Sequence, residues 1–403
     1  MWNFQTPRTG LEDAGSRGRR SGGAHPIPRV RVTMPSTAEL PDDPRLPALA
    51  AIRDRLGQVI PERELGDGPV EIRLCNHVPG SRATFEVRTG ERRLALKAYA
   101  EDPTPEAELY RHLARVGLAG VSSARVPRLL AVHPTLRVLV MEWLDGPSLS
   151  QLVRRGDGER AGRLAASWLW HASRRRVKRG PPCGTGRLLY QVGVSVAALG
   201  ASDRDLGAAA KVAAKSLVRS QPRERSVGLV HGTLYARHIL DLGDGPGVID
   251  WQQFGQGPVE VDAGMFLATI SRLALRHSDA AGAAARAEET FVSRTRGLVD
   301  PLALDWYRAA GLLHLAASGL KTGLKRFVPP EAHALVAEAA RRAAPAGAAP
   351  AFVFPETPRP FARIRSAFTI RSRTPSLVHP VGPAATTQPD PDKARGIGGT
   401  KPR

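Results

Sequence analysis

Two changes of hydrophobic period divide this 403-residue chain and limit what it can fold into. From Val70 the spacing becomes strand-like. The segments EIRLCNHV, RATFEVR and RRLALKAY are separated by the turn signals Pro79-Gly80-Ser81 and Thr89-Gly90-Glu91, which predicts an antiparallel three-stranded meander. Residues 126–130 and 137–146 add two further strands and a turn. Beyond Gly146 apolar residues recur at helical spacing, over 149–155, 160–175, 187–199 and 206–218, and again over 263–275, 280–298, 302–325 and 331–342. Ahead of the strands, Leu46, Leu49, Ile52 and Leu56 predict one leading helix within residues 43–57. Between the third and fourth strands, Pro103 and Thr104 are start signals for a short helix over 105–113.

The stretch from Val230 to Asp262 interrupts the helical half. The apolar run Val227, Leu229, Val230 leads into His231-Gly232; Ile239 and Leu240 begin a short strand; Asp244-Gly245 offers a tight turn; and Gly247-Val248-Ile249 leads a second strand into Asp250. A histidine and an aspartate are thereby brought to neighbouring edges of one hairpin.

That order resembles the phosphotransfer segment of the aminoglycoside and choline kinase-like phosphotransferases, in which His-Gly-Asp, four further residues and Asn precede Ile-Asp-Trp. Here His231-Gly232 and Ile249-Asp250-Trp251 match, whereas Thr233 stands where the family places its catalytic Asp and His238 where it places the metal-binding Asn. The catalytic loop is degenerate in that sense. The resemblance covers roughly residues 70–340 and implies an α+β, bilobal protein-kinase-like fold, with a small antiparallel-sheet N-lobe and a larger helical C-lobe. With the composition of the ends, Gly, Ser, Arg and Pro rich before 34 and Pro, Ala, Arg and Thr rich from Ala343, five segments are expected: a disordered basic extension (1–33), a leading helix and linker (34–69), a nucleotide-binding N-lobe (70–145), a helical C-lobe with the catalytic-type loop (146–345) and a mostly disordered tail (346–403), with a short ordered piece over 361–370.

The same resemblance carries site roles onto this chain. Gly80 and Ser81 would cover the nucleotide phosphates; Lys97 would contact the α- and β-phosphates, held by Glu106, with Glu108 in reserve; and Glu142, Trp143 and Leu144 would contact the adenine edge. Asp250 would bridge metal to phosphate, with His231 and Thr233 in the catalytic loop and His238 as a metal ligand. The expected cofactors are ATP with Mg²⁺ or Mn²⁺; magnesium prefers oxygen donors, so an imidazole ligand favours manganese or no second metal. Thr233 cannot act as a base near neutral pH, which leaves Asp241 and Asp262 as carboxylates to examine. Asp262 matches a family aspartate that bonds the catalytic-loop backbone. Two functions stay open: an ATP-dependent phosphotransferase acting on the hydroxyl of a small molecule, or a catalytically inactive kinase-like protein that binds a nucleotide or a partner.

Composition narrows the alternatives. The net charge of +20 would raise nucleic acid as a partner, but half of it lies on the ends: six Arg against two acidic residues in 1–33, and nine Lys plus Arg against three in 353–403. No nucleic-acid recognition motif accompanies it, and the rest suits a protein that handles a polyphosphate. The basic run 174–179, followed by Gly180-Pro181-Pro182, reads as a solvated helix end, against a patch for an anionic partner. No apolar run reaches the roughly 20 residues of a membrane span and no signal peptide is recognisable, so a cytoplasmic protein is expected. Met34 is a candidate start of translation. Cys75 and Cys183 lack metal-ligand spacing and read as two idle or buried thiols.

Overall fold

The computed structural model describes residues 32–33, 40–54, 56–65, 69–120, 123–224, 226–320 and 327–344. The expectations for residues 1–31, for Met34 and for the tail beyond 344, including 361–370, lie outside the described residues. Val32–Thr33 (β1), at the end of the stretch expected to lack structure, pairs in parallel with Val70 and Glu71.

The first half is built on one sheet. After Ala48–Asp54 (α1) and Glu62–Leu65 (α2) come Val70–Val78 (β2), Arg82–Thr89 (β3) and Arg92–Tyr99 (β4), then Thr104–Arg115 (α3), Leu129–His133 (β5) and Val138–Glu142 (β6). The strand order is β1-β2-β3-β4-β6-β5, antiparallel except for β1. Alternation along β4 decides which side chains face where. Leu94, Leu96 and Ala98 pack with Phe85, Val140 and the α1 residues Leu49 and Ile52 on one face; Ala95, Lys97 and Tyr99 point to the other, toward α3. The leading helix is shorter than its pattern, because Leu56–Gln58 tightens into a separate 3₁₀ turn.

The second half comprises Leu149–Arg154 (α4), Gly158–Ser173 (α5), Thr185–Ser202 (α6) and Arg204–Arg219 (α7), then Gly228–Val230 (β7), Ile239–Asp241 (β8), Pro246–Val248 (β9) and Gly255–Gly257 (β10), and finally Glu260–Arg276 (α8), Ala281–Arg294 (α9), Pro301–Ala316 (α10) and Ala332–Ala343 (α11). β8 and β9 form the expected hairpin, and β10 pairs antiparallel with β7. One core joins Leu139 and Met141 of the sheet to Leu109 and Leu113 of α3, Trp168 of α5, Phe266 of α8 and Phe291 of α9. Another gathers α6, α7, α10 and α11 around Trp306 and Tyr307.

The first half of the basic run is a solvated helix end, with Arg174 as the C-cap of α5 and residues 174–176 exposed, and the second half departs from that expectation. α5 stops at Ser173, Val177 is buried, and Gln256 Nε2 donates to the carbonyls of Val177 (3.1 Å) and Arg179 (2.5 Å). Gln256 N–H bonds the Pro181 carbonyl and its own carbonyl accepts from Cys183 N–H. From Val177 onward the segment is therefore a loop stapled to β10, its position set by those bonds. Both cysteines are free thiols, Cys183 buried and Cys75 partly so.

Candidate active site

The site forms where β4, α3 and the β9–β10 connection meet. Lys97 Nζ lies 3.0 Å from Glu106 Oε1 and 3.0 Å from Asp250 Oδ1. On α3, Glu106 shares a buried face with Leu109, Tyr110 and Leu113, while Glu108 lies on the exposed side and pairs with Arg179 at 2.8 Å. Helical phase thus selects Glu106 and not Glu108. The Tyr99 hydroxyl donates to the second Glu106 oxygen at 2.8 Å, which fixes that carboxylate. Burial works against a charged Lys97, yet the carboxylates of Glu106 and Asp250 outweigh it and raise its pKa.

Asp250 occupies a left-handed conformation (φ 68°, ψ 57°) at the entry to the Trp251–Gln253 turn. That backbone is uncommon for a residue with a Cβ, and it turns the carboxylate toward three nitrogen-bearing side chains. Besides Lys97 these are His238, whose Nε2 is 3.4 Å from Oδ2, and Arg82, 3.8 Å away. Burial would raise the Asp250 pKa, but the cations beside it, Lys97 first and then Arg82, hold it far below the ordinary carboxylate range. Arg82 carried no sequence motif. Its signal is positional: in register Arg82 faces Tyr99 and Thr84 faces Lys97, so β3 residues just after the turn share the Lys97 face.

The His231–His238 loop is tied down from below. Asp262, near the start of α8, accepts from His231 N–H (2.7 Å) and Gly232 N–H (2.9 Å). Burial pushes its pKa up to about 7 despite those two bonds. Gly232 has φ +78°, and a Cβ there would overlap the Gln253 carbonyl oxygen, so both conformation and space require glycine. His231 Nε2 lies 2.9 Å from the Ile249 carbonyl, and its ring packs on Trp251 at 4.8 Å. Burial lowers its pKa to about 4, which makes it a neutral ring that donates to Ile249. His238 Nδ1 is 3.0 Å from the Thr233 carbonyl, and burial lowers its pKa as well. A neutral His238 that donates from Nδ1 presents its Nε2 lone pair toward Asp250.

Thr233 sits beside His231, with its N–H 3.4 Å and its hydroxyl 3.5 Å from Nδ1. The two carboxylates considered as substitutes for a base are occupied elsewhere. Asp262 holds the loop backbone, and Asp241 is bound by the Arg160 guanidinium and Gly243 N–H. At the β2–β3 turn, Gly80 has φ +68° and its N–H donates to Asp43 Oδ2 at 2.7 Å, while Ser81 N–H bonds the Val78 carbonyl. His77 Nε2 meets the same Asp43 oxygen at 3.0 Å. Asp43, from the segment ahead of α1, is a second contact that motif reading missed. Beyond β6, Glu142 N–H bonds the Arg128 carbonyl and Trp143 N–H the Arg93 carbonyl (3.3 Å), with the Arg93 guanidinium over the Trp143 ring. The backbone groups of Leu144 have no partner among the described residues.

An antiparallel sheet carrying a buried Lys–Glu pair, set against a His-Gly loop and an Ile-Asp-Trp turn on a helical half, defines the protein-kinase-like class. Within it, the phosphotransferase enzyme family matches residues 78–302, and the chain belongs to that family. Solved structures are similar to it. A thermostable mutant of aminoglycoside phosphotransferase APH(4)-Ia, in ternary complex with AMP-PNP and hygromycin B, aligns with TM-score 0.50 at 14% identity over 68% of this chain and 92% of that one. A choline/ethanolamine kinase family protein from Mesorhizobium loti aligns with TM-score 0.47 at 17% identity, covering 72% and 98%. An aminoglycoside-3'-phosphotransferase of type VIII aligns with TM-score 0.45 at 19% identity, covering 61% and 93%. No curated protein matches the chain by sequence. Among the described residues no helix is long and apolar enough to cross a membrane.

Proposed function

We propose that the protein is an ATP-dependent phosphotransferase that moves the γ-phosphoryl group onto the hydroxyl of a small molecule. The observation that carries this reading is the buried Lys97, held 3.0 Å from both Glu106 and Asp250. A cation so placed can meet nucleotide phosphates without collapsing onto them, and Arg82 adds a second positive group beside it. Residues 70–145 would bind the nucleotide, with the unpartnered Leu144 backbone available to the adenine edge; the Gly80-Ser81 turn, its N–H groups taken by Asp43 and Val78, would cover the phosphates by position and not by backbone hydrogen bonds. Residues 146–345 would supply the acceptor side. The family and the nucleotide complex of a structural neighbour support ATP as the donor.

The metal position is tested by the donor set. His238 Nε2 and Asp250 Oδ2 face one another at 3.4 Å, a neutral lone pair opposite a carboxylate, which fits a divalent ion between nitrogen and oxygen donors. One or two protein ligands suffice for a nucleotide-bound ion, since phosphates and water complete its shell. Imidazole favours Mn²⁺ over Mg²⁺. When bound, the ion would neutralise charge on the phosphates. Lys97 then stays with Glu106, His231 holds the Ile249 carbonyl and so the approach of Asp250, and the Thr233 hydroxyl orients the acceptor hydroxyl by a hydrogen bond. General-base catalysis is worth roughly 10²–10⁴-fold, so turnover without it is slow and not absent.

One observation favours a second reading, a catalytically inactive protein that binds a nucleotide or a partner: Thr233 replaces the base, and Asp241 and Asp262 are both engaged. Calorimetric ATP binding with Mg²⁺ or Mn²⁺, beside ADP release, separates the two. In the phosphotransferase reading Asp250→Ala abolishes turnover, Lys97→Ala weakens ATP binding, and Thr233→Asp raises turnover by roughly 10²-fold. Binding without turnover in both wild type and Thr233→Asp would establish the second reading, and absence of binding would leave only a partner-binding role.

A further inference from the structure

The stapled basic loop forms one wall of a cavity of about 590 Å³ beside the Asp250 segment. Lys178, Arg179 and Arg187 line it, with Glu108 as its one carboxylate. Glu108 is already paired with Arg179 at 2.8 Å. Arg187 donates to the neutral amide oxygen of Gln253 at 2.7 Å, and neither Lys178 nor Arg187 has a carboxylate at ion-pair distance among the described residues. The cavity therefore holds two cations that the fold does not neutralise. Arg187 is partly buried in the first turn of α6, and Lys178, whose side chain is exposed, has its backbone fixed between the Val177 and Arg179 carbonyls that Gln256 clamps.

The cavity's position relates it to the site. Gln252 and Phe254 on its wall lie two and four residues after Asp250, and the Gln253 carbonyl packs against Gly232 of the catalytic-type loop. Pro105, Gln252 and Phe254 also line the smaller cavity, of about 250 Å³, that reaches Gly80 and Glu106. Residues 142–144, assigned above to the nucleotide, line neither space. We propose that this cavity is an acceptor subsite for an anion, so that the substrate alcohol is a hydroxy acid or a phosphorylated alcohol whose anionic group is held by Lys178 and Arg187. This rests on the phosphotransferase reading for the word acceptor. The charge argument is independent of it: guanidinium and ammonium groups together bind carboxylate or phosphate by charge-assisted hydrogen bonds, and the same pair repels an amine-bearing alcohol.

Calorimetric titration of glycerol 3-phosphate into the full chain saturated with AMP-PNP and Mn²⁺ tests the subsite, with choline as the cationic control. Glycerol 3-phosphate should bind at least tenfold more tightly than choline. Lys178→Glu, at an exposed position that folding tolerates, and Arg187→Gln should each weaken it at least tenfold while AMP-PNP affinity stays within twofold. Equal affinity for choline, unchanged binding in both variants, or displacement of glycerol 3-phosphate by AMP-PNP would overturn the subsite, the last by placing the anion at the nucleotide phosphates. If AMP-PNP itself fails to bind, the phosphotransferase reading falls separately. The same titration on nucleotide-free protein and the two variants then decides whether the cavity binds anions.

Discussion

Asp262 and His231 are in direct contact, and burial moves their proton equilibria in opposite directions. Asp262 rises to about 7 from 3.8, so between those values the native state holds a proton that the unfolded chain has lost, and stability falls as pH increases. His231 drops to about 4 from 6.5; in that window the unfolded chain binds the extra proton, and stability rises with pH. Each contributes a slope of up to about 1.4 kcal/mol per pH unit, and together they largely cancel. Urea unfolding between pH 4 and 6.5 should therefore show a steeper rise with pH in Asp262→Asn than in the wild type, and a shallower or falling profile in His231→Asn. Parallel profiles in all three proteins would show that neither group titrates as its burial requires. Motif order already singled out both residues, but their coupling was not legible, because Asp262 reaches back across 31 positions to His231 N–H.

Among the elements, α5 and α9 pack backbone against backbone. A Cβ at Gly158 would overlap the Ala283 carbonyl, and one at Gly162 would meet the Ala287 carbonyl, Thr290 and Phe291 N–H. Small residues let the two backbones touch, and Phe291 then fills the core beside Phe266 at a ring distance of 4.8 Å. Gly162→Leu should force the helices apart and destabilise the protein by about 1–3 kcal/mol or more, measured by chemical denaturation, whereas the same change at Gly186, with open space around it, should cost little. Comparable losses at both positions would show that the close approach of α5 and α9 is not the cause, since leucine by itself favours a helix over glycine. The helices themselves were visible as apolar spacing; which pairs pack through glycine was not, since that depends on how two separately patterned surfaces are brought together.

At the scale of the molecule, the core that begins on the sheet at Leu139 and Met141 continues without interruption to Trp168, Trp251 and Phe291. Sheet and helices therefore share buried surface, and loss of one exposes the other. Differential scanning calorimetry of the ligand-free protein should give a single cooperative transition, and Trp168→Ala should lower its midpoint as one peak. Two resolved transitions, only one of them shifted by Trp168→Ala, would mean that the sheet and the helical half unfold independently.

The order of periods, from strand meander to helices, indicated the fold class, and His231-Gly232 and Ile249-Asp250-Trp251 carried the family resemblance that implied Lys97, Glu106 and Asp250 as the candidate centre. These are local signals, set by backbone periodicity and turn chemistry, and they survive without knowledge of the packing. Tertiary structure alone decided that Lys97 meets Asp250 across a separation of 153 residues, and that Arg82 and His238 share that carboxylate. It also decided that Asp43 takes the Gly80 N–H and that the basic loop turns inward to a cavity. Contacts of that kind depend on side-chain direction and on the docking of distant segments, which no local pattern along a chain encodes.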